Sequence, residues 1–209
     1  MVATNTPWSQ DSLASAALGF GIAAPFLYFG SQIAAALFFP GYSFLSQSAS
    51  QLGSDMARYP AVFNTGAILT GAATLIASLG FLRGLHRLGS HRALTWLTAG
   101  GLAASALMHL WAGAFPMPNP RHGQNPFQIA AVMLPILIGA AVWKGVRAPA
   151  RVYFVGTVLA LAALMMNLIP VNRQLYDGLF QRLLALTVFP PVGVASYVLR
   201  KHLADAGAA

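Results

Sequence analysis

Residues 61–82 read AVFNTGAILTGAATLIASLGFL, a stretch of 22 residues without a charge. A helix of about 20 such residues crosses the roughly 30 Å of hydrocarbon in a bilayer, so this run predicts a transmembrane helix from Ala61 to Leu82. Five further runs of the same kind flank it: Leu13 to Phe39, Ala93 to Phe115, Phe127 to Trp143, Val152 to Ile169 and Leu179 to Leu199. Only the last holds a charge, Arg182, near its start. Breakers mark the ends, at Pro40-Gly41, Tyr59-Pro60, Pro116 with Pro118 and Pro120, Pro149 and Pro170. Pro25, Pro135 and Pro190-Pro191 fall inside spans, where they free backbone carbonyls and kink the helix.

Composition agrees. The 209 residues are 57% hydrophobic and 8% charged, against about 25% charged in an ordinary soluble domain. Twelve Lys and Arg face four acids, all aspartates: Asp11, Asp55, Asp177 and Asp205. The chain has no Glu and no Cys, which excludes thiol nucleophiles, disulfides, Cys-ligated zinc and iron–sulfur clusters. A chain this apolar is not a solvated basic tail, so nucleic acid is excluded as a partner despite the net charge of +8. The expected fold is all-α, a single domain over residues 1–209 with six transmembrane helices in one bundle.

Lys and Arg are retained on the cytoplasmic side of a membrane. Arg83, Arg87, Arg92, Lys144, Arg147, Arg151, Arg200 and Lys201 lie at one end of the spans, and Arg58, Arg121, Arg173 and Arg182 at the other. Eight against four places both termini in the cytoplasm. His86 and His91 then sit in a basic cytoplasmic loop suited to headgroup contact. The first twelve residues lack Lys and Arg, and the first apolar run is too long for a signal core, so span one is expected to stay in the mature protein.

Polar residues inside spans are costly, and their depth is informative. The inward halves hold hydroxyls able to bond back to their own helix, namely Thr74, Ser78, Thr98, Thr157 and Ser196. Amides and ionisable groups gather in the outward halves: Gln32, Asn64, His109, Gln128, Asn167, Gln181 and Arg182. His109 lies about 9–10 Å inside the outer end of its span at 1.5 Å per residue. It shares a face with Leu102, Ser105, Ala106, Ala112 and Gly113, small residues that let another helix or a ligand approach.

Between spans one and two, Tyr42, Leu45, Ala49, Leu52 and Met56 recur at spacings of three and four, predicting a short amphipathic interfacial helix. Ser50 and Asp55 lie among the polar residues of that segment. The proline-rich loop Pro116–Gly123 carries Arg121 and His122 to the outward rim, and the last outward loop adds Arg173, Asp177 and Gln181. Arg182, one turn into its span, is the costliest side chain to place, and pairing with Asp177 or Asp55 is its first expected solution.

Four stretches in order carry a family resemblance: Tyr42-Ser43 through Ser50-Gln51-Leu52-Gly53, Phe63-Asn64-Thr65-Gly66 with Gly71, Phe115-Pro116 leading to His122-Gly123, and Gly178-Leu179-Phe180-Gln181-Arg182-Leu183. Together they resemble the six-span prokaryotic membrane family catalogued as domain of unknown function 998. The resemblance implies a six-helix protein of a prokaryotic plasma membrane, and it draws attention to Ser50, Gly53, Asn64, His122 and Arg182. It supplies no activity. The family often has an acid where this chain has Gln51, and some members have one where it has Gln181, which puts any carboxylate mechanism at those places in doubt here.

These residues predict an outward polar pocket that binds a lipid headgroup or another anionic amphiphile. Its expected members are Ser50, Asp55, Asn64, His109, Arg121, His122, Arg173, Asp177, Gln181 and Arg182. No cofactor is expected beyond bound lipid. A metal would draw on Asp55, His109, His122 and Asp177, but no ligand motif such as HExxH supports one, and a pigment on His109 stays open. Membrane lipids are the expected partners, with other membrane subunits or further copies of the chain beside them. The alternatives are an accessory or scaffold subunit with lipid, pigment or quinone contacts, an outer-leaflet lipid hydrolase, and a small-molecule transporter. A serine hydrolase would need Ser46, Ser48 or Ser50 beside His109 or His122, oriented by an aspartate. A transporter would need polar groups at every depth, and the inward halves hold none that ionise.

Overall fold

The computed structural model of the chain describes residues 10–207. The extremities of the expected 1–209 domain, residues 1–9 and 208–209, lie outside the described residues. The order is α1 (Gln10–Ala36), a five-residue 3-10 helix (Ala49–Gly53), α2 (Pro60–Arg87), α3 (Arg92–Ala114), the one-turn α4 (Pro120–Gly123), α5 (Gln128–Val142), α6 (Ala148–Met165) and α7 (Arg173–Gly207). No strand occurs among the described residues. Among the described residues six helical segments are long and apolar enough to cross a membrane, and they coincide with the six runs read from the sequence.

The helix ends follow local chemistry. α2, α4 and α6 each start with proline in the first turn, where the missing N–H costs nothing. α7 runs longer than its apolar run predicts and bends at Tyr176 (φ −130°, ψ 40°), so a short polar lead-in precedes the span.

α1 packs on α2 and α7, α2 on α3, and α3 on α5, while α6 sits at the edge against α5 and α7. α6 buries only Phe154, Leu161 and Leu164, as expected of a helix facing lipid. At the end where α1 begins and α7 finishes, hereafter the terminal end, large side chains fill the bundle: Leu18, Phe81, Leu85, Leu102, Leu134, Ile138, Val142, Phe154 and Leu199. Arg83 and Arg87 both bind Asp11 there, Arg83 Nε at 2.7 Å from its carboxylate, tying α1 to α2. The hydroxyls of Thr74, Ser78, Thr98, Thr157 and Ser196 all donate to carbonyls three or four residues back in their own helices, as read from the sequence.

The opposite, loop end is built differently. A small cluster of Ala35, Ala49, Leu52 and Phe63 docks the 3-10 helix against α1 and α2. The helix expected across Tyr42 to Met56 is shortened to Ala49–Gly53, with turns on either side. Side chains outcompete the helical ladder there: the Ser43 N–H donates to Gln47 Oε1 at 2.7 Å, and the Ser46 N–H to Ser43 Oγ at 3.3 Å. The carbonyls of Phe44, Leu45 and Gln47 turn to α7, where they accept from Arg182 Nη1, the Leu179 N–H and Arg182 Nη1 at 2.7, 2.8 and 3.0 Å.

Candidate functional site

His109 is buried, 7% exposed, on the small-residue face of α3 together with Leu102, Ser105, Ala106 and Gly113. Its Nδ1 lies 2.8 Å from the Ser105 carbonyl oxygen. A carbonyl only accepts, so in the neutral ring Nδ1 carries the proton and Nε2 keeps a lone pair. Among the described residues no hydrogen-bond partner reaches that Nε2. The ring is held edge-on to Tyr28 and Phe189, centroids 5.7 and 5.1 Å away, and those two stack on each other at 4.0 Å. One histidine orientation is thereby fixed by a backbone carbonyl and two aromatic walls.

Two cavities adjoin at this histidine, of about 300 and about 220 Å³. Both are lined by Tyr28, Met108, His109, Gln128 and Gln181. The larger extends between α5 and α7 along Ala131, Val132, Leu184, Ala185 and Val188, an apolar surface. The smaller extends under the loops to Ser31, Ser50, His122 and Asn125. The site is a polar junction with an apolar arm on one side and a serine–histidine pair on the other.

The loops over the site are fixed by the amides read from the sequence. Gln181 Oε1 accepts the Ala49 N–H at 2.7 Å, and Asn64 Nδ2 donates to the Gly53 carbonyl at 3.0 Å, so one amide holds each end of the 3-10 helix. His122 stands on α4, whose cap is Asn119, accepting from the Arg121 N–H at 2.9 Å. Trp111 Nε1 donates to the Arg121 carbonyl at 2.8 Å and binds that turn to α3.

Of the ten expected site residues, Ser50, His109, His122 and Gln181 line the cavities, and Asn64 supports them from behind. The remaining five lie outside the cavities. Arg182 pairs with no aspartate, contrary to the expectation that Asp177 or Asp55 would neutralise it. Its Nη1 donates to the carbonyls of Phe44, Gln47 and Gly178, and its Nη2 donates to the Tyr42 hydroxyl at 2.5 Å. Several fixed carbonyl dipoles converge where one carboxylate was anticipated. Burial pushes the Tyr42 phenol up against the opposing pull of Arg182, so it stays protonated and its one proton is shared between the Gln47 and Ser48 carbonyls. Asp177 faces Arg173 at 3.9 Å on an exposed surface, and Arg173 lies over the Phe180 ring. Arg121 lies over the Phe115 ring, and Asp55 is exposed. Neither Asp55 nor Asp177 joins the histidines: among the described residues no three His or Asp side chains come together as metal ligands do.

Sequence reasoning missed Tyr28, Phe189 and the Phe115 carbonyl. Tyr28 sits one turn before Gln32, a signal that marked its face, but nothing in the sequence places Phe189 across from it.

Six helices long and apolar enough to cross a membrane, among the described residues, make this a multi-pass membrane protein. The chain belongs to the family described as "Protein of unknown function (DUF998)", which matches residues 22–197. No curated protein and no solved structure matches it.

Proposed function

We propose that the chain binds one membrane amphiphile, its polar head hydrogen-bonded at the junction by His109, Gln128 and Gln181 and its apolar part lying along Ala131, Val132, Leu184 and Val188. One observation carries this reading: His109 Nε2 is aromatic-walled, oriented and without a protein partner at the meeting point of two cavities. That lone pair opens on the cavities, where a ligand hydroxyl or amide N–H can donate to it. The arginines stand outside the cavities, which favours a head bound through uncharged hydroxyl, ester or amide groups over one bound through its negative charge. The excess of Lys and Arg at the terminal end supports a cavity facing out of the cytoplasm, in a prokaryotic plasma membrane with both termini inside.

Native mass spectrometry of the full chain released from detergent micelles tests the reading. One bound amphiphile per chain is expected, and His109→Phe or Gln128→Leu should each lower its affinity about tenfold, the equivalent of one lost hydrogen bond. Undiminished occupancy in both variants overturns it.

A further inference from the structure

Ser50 and His122 are 72 residues apart in sequence, and their side chains meet in the smaller cavity with Oγ 3.0 Å from Nε2. His122 Nδ1 lies 2.8 Å from the Phe115 carbonyl oxygen. Because that oxygen can only accept, Nδ1 carries the proton of the neutral ring, and Nε2 turns its lone pair to the serine hydroxyl. This is the tautomer that a general base requires. In Ser-His-Asp triads an aspartate fixes it, and here a backbone carbonyl stands in that place.

Both partners are held rigidly. Ser50 sits in the 3-10 helix that Gln181, Asn64, Arg182 and Tyr42 pin from its two ends and its leading turn. His122 sits in a turn closed by Asn119 and Trp111. Gln181 commits Oε1 to the Ala49 N–H, so its NH2 group is the end left to the cavity that it lines with Ser50. An amide donor beside a nucleophile is the kind of group that stabilises a developing oxyanion.

We propose that Ser50 is a nucleophile with His122 as its base, and that the site removes an acyl group from an ester-bearing amphiphile. The proposal rests on the reading of the cavity as an amphiphile site. Ser50 Oγ bonds to the ester carbonyl carbon as its proton passes to His122 Nε2, and the oxyanion takes the Gln181 NH2 donor. The ester C–O bond then breaks, and the departing alkoxide takes the proton from Nε2. Water attacks the acyl-Ser50 carbonyl and gives a proton to Nε2; the Ser50 C–O bond breaks, Oγ recovers the proton, and a carboxylic acid leaves.

The test uses the full chain in nanodiscs of phosphatidylcholine and phosphatidylglycerol, treated with an alkyl fluorophosphonate and read by intact mass and peptide mapping. One adduct is expected, on Ser50, absent in Ser50→Ala and formed about 100-fold more slowly in His122→Gln, in line with the usual weight of a general base. His122→Gln is the second variant because it leaves the serine in place, and a thermal melt reports whether each variant is folded. Labelling of His122→Gln at the wild-type rate overturns the proposal. So does an unlabelled wild type that still retains its amphiphile by native mass spectrometry, which leaves the binding reading standing. An unlabelled wild type with no bound amphiphile overturns both.

Discussion

Arg182 shows how a cation near a membrane is accommodated without an acid. Three backbone carbonyls and a phenol oxygen receive its two terminal nitrogens, and the guanidinium lies over the Phe44 ring at 4.8 Å from the centroid. The group works as a staple between α7 and the loop that carries Ser50, through the forked geometry that an ammonium lacks. Arg182→Lys keeps the charge and loses the fork, so it should lower stability by about 1–2 kcal/mol, and Arg182→Ala by about 2–4 kcal/mol. Reversible unfolding in mixed micelles measures both. A lysine variant as stable as the wild type would show that charge, rather than the fork, is what matters at this position.

At the scale of elements, α2 and α3 approach so closely at Gly71 that no side chain fits on that residue. A Cβ on Gly71 would stand 2.8 Å from the Ala106 carbonyl oxygen and 2.9 Å from the Leu110 backbone nitrogen, neither of which can rotate away. Without a hydrophobic drive between helices in lipid, such close packing is a principal source of association. Gly71→Ala should therefore cost about 1–3 kcal/mol by forcing the helices apart. Gly100, on the open face of α3, has nothing within 4 Å of the same added atom. Gly100→Ala should be neutral or stabilising by up to about 1 kcal/mol, because alanine is the better helix former. The pair of melting curves separates packing from propensity, and equal shifts in both would refute the close-contact account. The turns around Ala49–Gly53 follow the opposite logic: their apolar spacing favours a helix, but Ser43, Gln47 and Tyr42 offer the backbone better local partners.

In the whole molecule a core of large apolar side chains marks the terminal end and the His109 cavities mark the loop end, and the sequence showed that division more readily than its contents. Six spans, their order and the self-satisfied hydroxyls of Thr74, Ser78, Thr98, Thr157 and Ser196 could be read directly, because a bilayer forces apolar length and self-satisfied polar groups on any helix that crosses it. The clustering of Gln32, Asn64, His109, Gln128 and Gln181 at one depth likewise marked the loop end. What could not be read was the sorting of those groups into cavity walls and loop supports. That depends on which carbonyls the turns leave free, and it moved Arg182 from the expected binding residue to a staple and brought Ser50 to His122. Sidedness is the remaining proposal at the scale of the whole molecule, and charge is what supports it: Arg83, Arg87, Arg92, Lys144, Arg147, Arg151, Arg200 and Lys201 lie toward the terminal end. The natural absence of cysteine makes it directly testable. Ser46 and Ala204 are exposed at the two ends, so Ser46→Cys and Ala204→Cys each introduce the chain's single thiol. In intact cells a membrane-impermeant maleimide should label Ser46→Cys and spare Ala204→Cys until the membrane is broken. The reverse pattern would turn the Ser50–His122 cavity toward the cytoplasm, with its amphiphile drawn from the inner leaflet.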